Sequence, residues 1–224
     1  MNKPASIYYD KLAKYYEHAT SAEGAWTPPQ MIQKFVGVNV TSSSLVLDIG
    51  IGTGQSCSFL KHTDENPKIY GIDISAEMLA ICQEKHPEIE VFYGTLEEFR
   101  NKNNLRFNLI ISSGALEFIE DLSSIFESVK SLISKDGRFV FTFEPLIVDH
   151  PIQSNSKSLV IANSQSSLYV KDFYTYRRTI EEVMSSLSSA GFKVDRKEDF
   201  VAYQKEGSNI NYAIFEATLR ANQN

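Results

Sequence analysis

Between residues 44 and 143, two kinds of segment alternate along this chain, and they differ in how apolar and polar residues are spaced. Short apolar runs predict strands buried on both faces, and the segments between them have the 3.6-residue spacing of amphipathic helices. Regular alternation of strand and helix predicts right-handed crossovers and a parallel, doubly wound sheet. The predicted strands are 45–47, 68–72, 88–93, 107–112 and 138–143, and the predicted helices are 53–60, 75–85, a short one from 96, and 122–133.

Two helices are predicted before this alternation. Residues 5–19 have helical apolar spacing and are rich in tyrosine, and these tyrosines either line a pocket or simply pack on the domain. Pro28 or Pro29 can start a second, shorter helix that runs to about Phe35, because proline is well accepted at the first helical position.

Further elements follow the alternating core. Residues 145–172 are rich in Ser and Asn and too long for an ordinary connection, so we expect an insertion over the mouth of the site with some structure of its own. A helix is predicted at 179–190, and a sixth strand begins at 192–194. Segments 200–204 and 209–219 have the alternation of final strands in an antiparallel hairpin. The whole pattern predicts an α/β fold with a doubly wound, mostly parallel sheet.

A glycine-rich turn follows the first strand in the sequence SLVLDIGIGTG, residues 44–54. Gly50, Gly52 and Gly54 lack Cβ atoms, so a ligand can approach the main chain closely. Dinucleotides prefer the spacing G-x-G-x-x-G, whereas the spacing here is G-x-G-x-G. Asp48 would repel a diphosphate and attract an ammonium or sulfonium, which favours S-adenosylmethionine as cofactor. The alternative is an ordinary glycine-rich turn without a ligand.

A second acid stands where a bound nucleotide would need one. Asp73 lies 19 residues after Gly54 at the end of the second strand, the distance at which an acid meets the ribose hydroxyls. Polar groups also follow the other strands, and ligands of doubly wound sheets sit beyond these carboxyl ends. The strand-end residues are Asp48, Asp73, Thr95, Ser112 and Glu144.

Composition narrows the class of partner. The 224 residues carry 22 Lys and Arg against 28 Asp and Glu, a net charge of −6 without a basic cluster, which disfavours nucleic acid as a partner. The cysteines Cys57 and Cys82 are isolated, and Cys and His show no metal-ligand spacing, so no metal site is expected. Because no secretory signal or apolar run of 18 residues occurs, we expect a cytoplasmic protein that does not enter a membrane.

Five segments resemble the core of class I S-adenosylmethionine-dependent methyltransferases: VLDIGIGTG, YGIDIS, FYGTLEEF, FNLIISSGALEFIEDL and LISKDGRFVFTFE. The sequence YYDKLAKYY is similar to the lid helix of many small-molecule members. FTFE, TYRRTIEEVMSSLSSAGF and NYAIFEATLR resemble the tail of predicted tetratricopeptide-associated methyltransferases, although the chain has no such repeats. The resemblance implies a single Rossmann-like methyltransferase domain over 1–224, an α/β fold with a doubly wound, mostly parallel seven-stranded sheet. Its parts would be lid helices at 1–40, a cofactor-binding core at 44–143, a cap insertion at 145–176, and a C-terminal helix and strands at 177–224.

The resemblance also implies roles for individual residues along the cofactor. One departure is Thr95, which stands where the family usually has an Asp that accepts from the adenine amino group, and another is Phe118, where relatives often have a histidine. The implied roles are Asp48, Gly50, Gly52 and Gly54 at the methionine part, Asp73 at the ribose, Ile74, Met78 and Leu96 at the adenine, and Ser112 and Ser113 at the sulfonium end.

Methyl transfer is an in-line displacement, so it needs a general base only when the acceptor carries a proton. Glu144, His150 and Tyr176 are candidate bases, and each has a purely structural alternative as a cap, a turn residue or a packing residue. Neighbouring side chains alternate faces in an extended segment, so one of Arg177 and Arg178 should point inward. The alternative is that both arginines are solvated or pair with Glu181 and Glu182. The resemblance places a polar residue that faces the substrate near Arg178, so we select Arg178, which predicts a small-molecule acceptor that carries an acid.

Other functions stay open at this point. A polar cap would also admit a protein or a carrier-bound substrate to a methyltransferase. A nicotinamide-dependent oxidoreductase is disfavoured by the glycine spacing and by Asp48, and a cofactor-binding module without catalysis is not excluded by the sequence.

Overall fold

The computed structural model describes residues 3–21, 26–37, 40–62, 66–160 and 169–221. The elements are α1 (Lys3–Ser21), α2 (Pro28–Val36), β1 (Leu45–Ile49), a 3-10 helix (Ser58–His62), β2 (Lys68–Asp73), α3 (Ala76–Lys85), β3 (Glu90–Tyr93), α4 (Leu96–Lys102), β4 (Phe107–Ser112), a second 3-10 helix (Leu116–Phe118), α5 (Leu122–Leu132), β5 (Ile133–Phe143), β6 (Lys157–Leu159), β7 (Tyr174–Tyr176), α6 (Ile180–Ser189), β8 (Phe192–Lys205) and β9 (Ser208–Leu219). Seven of the strands form one sheet with the order β3-β2-β1-β4-β5-β9-β8. Strands β1 to β5 are parallel, and β9 is antiparallel to both β5 and β8.

This topology confirms the predicted doubly wound, mostly parallel seven-stranded sheet. The chain builds outward from β1 to β3 and then returns to the other side of β1, so that β1 pairs with both β2 and β4. The direction of winding changes between β1 and β4. Crevices at the carboxyl ends of such neighbouring strands are the usual ligand sites of this architecture.

Two apolar layers cover the sheet, one on each face. Along β1, Val46 packs with the layer that includes α2 and α3, and the next residue, Leu47, packs with the layer that includes α4, α5 and α6. Both residues have no exposed surface, as expected for a central parallel strand with helices on both faces. The free thiols Cys57 and Cys82 are buried in the first of these layers.

The helix predicted to start at Thr53 is wrong. The chain makes turns after the glycines, and the 3-10 helix begins only at Ser58. The Thr53 hydroxyl donates to Glu17 Oε1 at 2.6 Å, so it does not cap a helix. A tertiary contact with α1 therefore replaces the local cap that the sequence suggested.

The last strands also differ from their predicted bounds. The predicted strands 192–194 and 200–204 are one continuous strand, β8, which pairs with β9 along its length. The intervening residues 195–199, DRKED, are all charged, so this part of the strand lacks the apolar and polar alternation by which a strand is predicted. Strand β5 begins at Ile133 rather than residue 138, and β3 begins at Glu90 rather than residue 88.

The insertion after β5 forms structure of its own. Strands β6 and β7 pair as an antiparallel ribbon, and Pro145 bridges to Arg178, where the insertion rejoins the core. Part of the predicted cap, residues 161–168, lies outside the described residues. Within the described ranges no helix is both long and apolar enough to cross a bilayer.

Gly71 in β2 gives a direct test of how the glycine-rich turn is seated. A Cβ at this position would lie 2.3 Å from Ile51 Cδ1 and 2.9 Å from Ile51 Cγ2, because Ile51 packs across the strand. We expect Gly71→Ala to lower the free energy of unfolding by about 1–3 kcal/mol through overpacking, measured by chemical denaturation. Ile51→Val removes the nearest carbon, so the double variant should be more stable than Gly71→Ala alone. A double variant no more stable than the single one would show that Ile51 is not the obstacle.

Candidate functional site

A cavity of about 470 Å³ opens at the carboxyl ends of β1 to β4. The ends of these strands or the residues just after them contribute to the wall, and α1, α3, α4, α5, the second 3-10 helix and β7 contribute further residues. Its volume is within the usual range of small-molecule and cofactor sites. The strand ends supply Gly50 and Gly52, Asp73 and Ile74, Thr95 and Leu96, and Ser113 with its neighbours.

The glycine-rich turn is fixed by backbone hydrogen bonds to β2. The amides of Gly50 and Ile51 both donate to Ile72 O, at 2.8 and 3.1 Å. Gly50 has φ 72°, and a Cβ there would lie 2.5 Å from Ala115 Cβ, so the turn touches the loop after β4. At Gly52 a Cβ would meet nothing within 4 Å, which leaves open space for a ligand beside the main chain.

Asp73 links this turn to the start of α3. Its Oδ2 accepts from Gly52 N and its Oδ1 accepts from Ser75 N, both at 2.9 Å. Burial raises the pKa of Asp73, and these backbone hydrogen bonds act in the opposite direction. Because each carboxylate oxygen has two lone pairs, the side chain keeps acceptor capacity on the cavity wall.

Asp48 and Gly54 do not line the cavity. Asp48 is fully buried, and its Oδ2 accepts from Ser56 Oγ at 2.5 Å. Its Oδ1 has no hydrogen-bond partner among the described residues. Burial raises the pKa of Asp48 to about 7. A Cβ on Gly54 would lie 2.5 Å from the His86 ring, so Gly54 faces α3 rather than the ligand space.

Part of the cavity wall is apolar. Ile74, Met78 and Leu96, the residues that the family resemblance implies at the adenine, all line the cavity, as does Ile125. Thr95 also lines the cavity, but its hydroxyl accepts from Glu98 N and donates to Glu98 Oε2 in a capping box at the start of α4. The threonine hydroxyl therefore already has local partners.

The two serines after β4 have different environments. Ser112 is buried outside the cavity wall, and its hydroxyl donates to Ile49 O at 2.9 Å, which joins β4 to β1. Ser113 lines the cavity. Its hydroxyl is buried without a hydrogen-bond partner among the described residues, so it is available to a ligand.

Glu144 and His150 are occupied by structural contacts away from the cavity. Arg177 Nε donates to Glu144 Oε1 at 2.6 Å in a buried ion pair, and Arg177 also donates to Ser158 Oγ in the insertion. His150 Nδ1 accepts from the amides of Ile152 and Gln153. This arrangement assigns the ring proton to Nε2, which is 2.9 Å from Asn209 O.

The inward arginine is Arg177, not Arg178 as predicted. Arg178 lies half-buried, and its guanidinium donates to the carbonyls of Ile119 and Glu120. It thereby ties the segment after β4 to the end of the insertion. Of the four residues proposed for catalysis, only Tyr176 lines the cavity. The prediction failed because the alternation of side chains along the segment requires only that one of the two arginines points inward. Tertiary packing decides which of them does so.

Sequence reasoning left open whether the α1 tyrosines line a pocket, and it missed Glu117. Tyr9 and Tyr16 of α1 both line the cavity, and their seven-residue spacing, which places them on one helix face, could have identified the pair. Glu117 is 1% exposed, and its Oε1 accepts from the Tyr212 hydroxyl at 2.6 Å. Burial raises the pKa of Glu117 to about 7. No local pattern distinguishes this acid from a surface residue.

Helix α1 covers the cavity and is fastened at two places. Asp10 Oδ1 accepts from the Ser75 hydroxyl at 2.7 Å. Glu17 accepts from the Thr53 hydroxyl and forms an ion pair with Lys85, each at 2.6 Å. The same helix thus contacts both the glycine-rich turn and α3, so its position depends on the elements that form the floor of the site.

Comparisons with known proteins agree with this geometry. Residues 46–137 match the model of a family described as methyltransferase domain. An uncharacterized protein of Methanocaldococcus jannaschii is 28% identical over 207 residues, which are 84% of this chain and 75% of that protein. A demethylmenaquinone methyltransferase of Chlorobaculum parvum is 24% identical over 160 residues, 66% of this chain and 65% of that protein.

A solved structure has the same architecture. The 1,6-didemethyltoxoflavin-N1-methyltransferase of Burkholderia thailandensis, with 1,6-didemethyltoxoflavin and S-adenosylhomocysteine bound, superposes with a TM-score of 0.68 at 13% identity. The superposition covers 98% of this chain and 90% of that one. Among the described residues, no group of three or more His, Cys, Asp or Glu side chains could hold a metal ion.

The Glu17 contacts predict how firmly α1 closes the cavity. We expect Glu17→Ala to increase hydrogen exchange of the α1 amides about fivefold, because a hydrogen bond and an ion pair worth roughly 1 kcal/mol are lost. The matched control is Glu90→Ala on β3. This change removes an exposed carboxylate that pairs with Lys68 and leaves α1 untouched. Equal exchange in both variants would mean that Glu17 does not hold the helix.

Proposed function

Because the chain belongs to the class I S-adenosylmethionine-dependent methyltransferase family, we propose that it transfers the methyl group of this cofactor to a small molecule bound under α1. One observation carries the assignment most directly. In the part of the chain that the structure describes, no lysine, arginine or histidine lines the cavity, and its charged residues are Asp73 and Glu120. Such a wall favours a sulfonium and an ammonium and disfavours a pyrophosphate.

The wall fits the parts of the cofactor in order. Asp73 would accept from the ribose hydroxyls, and the open space beside Gly52 would admit the methionine part. Ile74 and Met78 would pack on the adenine, and Leu96 would offer a backbone contact. The family resemblance placed Asp48 and Gly54 at the methionine part of the cofactor. In this proposal they would support the glycine-rich turn and would not contact the ligand.

When bound, the cofactor supplies an electrophilic methyl group on a cationic sulfur. The chain's own contribution is to align the acceptor and to exclude water. Phe118, Tyr9 and Tyr176 line the cavity and place aromatic surface there. The Ser113 hydroxyl offers an unused polar contact beside them. No metal is required for such a displacement.

The names of similar proteins support a small-molecule acceptor. One acts on demethylmenaquinone and another holds 1,6-didemethyltoxoflavin, both of which are small molecules. The acid-bearing acceptor that we predicted from Arg178 has no support in this geometry. Arg177 is neutralised by Glu144, and Arg178 is held by two carbonyls.

The experiment that tests the function uses methyl-labelled S-adenosylmethionine and a cell extract. After incubation, label in the fraction of small molecules supports the proposal. Label in the protein fraction would instead indicate a protein or carrier-bound acceptor. Binding of the cofactor without any transfer would indicate a cofactor-binding module.

Cofactor recognition makes a separate prediction. We expect S-adenosylhomocysteine to bind and NAD not to bind, as measured by calorimetry. Asp73→Ala should weaken S-adenosylhomocysteine about tenfold or more, because charge-assisted hydrogen bonds to the ribose are lost. Asp136→Ala, which removes an exposed acid in β5, is the control and should have no effect. NAD binding without S-adenosylhomocysteine binding would refute the cofactor assignment.

A further inference from the structure

Aromatic side chains form much of the cavity wall that the proposed cofactor contacts leave over. The aromatic residues that line the cavity are Tyr9, Tyr16, Phe118 and Tyr176. Tyr16 also lines a small recess beside Gly50 and Gly52, so it belongs to the side of the glycine-rich turn. The other three come from α1, the second 3-10 helix and β7, and none of them is proposed to hold the cofactor. We call Tyr9, Phe118 and Tyr176 the aromatic compartment.

Two rings of the aromatic compartment are fixed by packing. The ring centroids of Tyr9 and Phe118 lie 5.7 Å apart in an edge-to-face arrangement. Both rings also pack on Phe173 of the insertion, with centroid distances of 6.2 and 5.1 Å, and Phe173 is 1% exposed. Because these side chains are already ordered, a ligand that packs on them loses little further side-chain entropy. Such a wall suits a flat, rigid ring, which can stack on it or meet it edge-on.

One charged side chain stands next to the aromatic compartment, and it is already paired. Glu120, two residues after Phe118, lines the same cavity, and its Oε1 lies 3.5 Å from Lys157 Nζ. The Lys157 ammonium also lies over the rings of Tyr174 and Tyr176, at 4.6 and 5.0 Å from their centroids. Both partners of the ion pair are well exposed, so the pair stands at the mouth of the cavity. The charge of Glu120 is therefore compensated by its neighbour.

The two arginines at the end of the insertion are committed as well. Arg177 pairs with Glu144 at 2.6 Å, and Arg178 donates to two main-chain carbonyls. The other charged residue of the cavity wall, Asp73, is assigned to the ribose of the cofactor. Among the described residues, the side chains that line the cavity thus offer no free cation to an anionic acceptor. Once Asp73 holds the ribose, they offer no uncompensated anion to a cationic acceptor.

We propose that the methyl acceptor is an uncharged aromatic molecule held against Tyr9, Phe118 and Tyr176, and that the pair of Glu120 with Lys157 keeps this compartment neutral. This inference deepens the proposed function and rests on it. An aromatic acceptor gains offset or edge-on contacts with the rings. A charged acceptor would lose hydration without finding a free group of opposite charge, which disfavours it.

An uncharged acceptor also fits the charge balance of the transfer. Its lone pair forms a bond to the methyl carbon as the bond from carbon to sulfur breaks, and the electron pair of that bond stays on the sulfur. The positive charge thereby passes to the acceptor, and an acceptor that carries an N–H or O–H then releases its proton to water. No side chain of the aromatic compartment has to change its own charge in these steps.

Four ring probes of similar size separate charge from aromaticity: benzyl alcohol, benzylamine, benzoate and cyclohexylmethanol. Their dissociation constants are measured by NMR at pH 7 on protein saturated with S-adenosylhomocysteine. We expect benzyl alcohol to bind about tenfold more tightly than either ion, because an ion loses hydration in the compartment. It should bind about threefold more tightly than cyclohexylmethanol, because an aromatic ring makes the better contact with other rings. An ion that binds as tightly as benzyl alcohol, no preference over cyclohexylmethanol, or no binding of any probe would overturn the proposal.

Tyr176→Leu tests whether the probes bind at these rings. We expect this variant to weaken benzyl alcohol about fivefold, because an aromatic contact is lost. Cyclohexylmethanol should stay within about twofold, because leucine keeps apolar surface at this position. The matched control is Tyr174→Leu, since Tyr174 is on the same strand and also contacts Lys157 but does not line the cavity. The control should leave the affinity for benzyl alcohol unchanged, and an equal loss in both variants would overturn the placement of the acceptor.

Two variants test the charge pair in opposite directions. Glu120→Gln leaves the Lys157 ammonium without its partner, so benzoate should bind more tightly and benzylamine more weakly. Lys157→Gln leaves Glu120 uncompensated, so both changes should reverse. We expect each change to be about threefold at low salt, because the pair is exposed and screened by solvent. Damage to the structure would weaken every probe and would not reverse in sign between the two variants. The same change in both variants, or no change in either, would overturn the role of the pair.

Binding of S-adenosylhomocysteine, measured by calorimetry, reports on the proposed function separately. If wild-type protein binds it and also prefers an ion to benzyl alcohol, the inference about the acceptor is overturned and the proposed function stands. A wild-type protein that does not bind it would refute the cofactor assignment together with the inference that rests on it.

Discussion

The carboxylate of Asp73 holds the site together. It accepts one hydrogen bond from the glycine-rich turn through Gly52 and one from the start of α3 through Ser75. These two segments would otherwise leave backbone amides unsatisfied at a buried edge of the sheet. The turn is then fixed relative to β4 because Gly50 touches Ala115. One side chain thus positions the floor of the cavity while retaining acceptor capacity for a ligand.

Helix α1 depends on the same floor. Its Asp10 contacts the hydroxyl of Ser75, the residue whose amide Asp73 holds, and its Glu17 contacts Thr53 in the glycine-rich turn. Any displacement of α1 would break these polar contacts and expose the tyrosines that face the cavity. The position of α1 and the geometry of the cavity floor therefore depend on shared residues.

Much of the fold followed from local patterns. The strand ends, Asp73 and the capped helix after Ser75 were predictable because each depends on residues a few positions apart. The failures at the site involve distant partners. Thr53 bonds to α1 rather than to its own helix, and Arg177 rather than Arg178 finds Glu144. Glu117 could not be recognised because its burial depends on β9, far along the chain.

Glu144 and Glu117 show how the same residue type is used in two ways. Glu144 is paired with Arg177, so its charge is compensated and its removal would leave a buried cation. Glu117 has a phenol on one oxygen and nothing on the other. Because its folded pKa lies above the ordinary value, its contribution to stability is full at low pH and is lost as pH rises through about 7.

The buried charge of Glu117 therefore destabilises the folded state at neutral pH, and the hydrogen bond from Tyr212 offsets this only in part. Replacing the acid with an apolar residue would remove that cost, so Glu117 is not explained by stability. The two buried glutamates thus differ in what each costs the fold, because Glu144 is compensated by Arg177 whereas Glu117 depends on a single phenol.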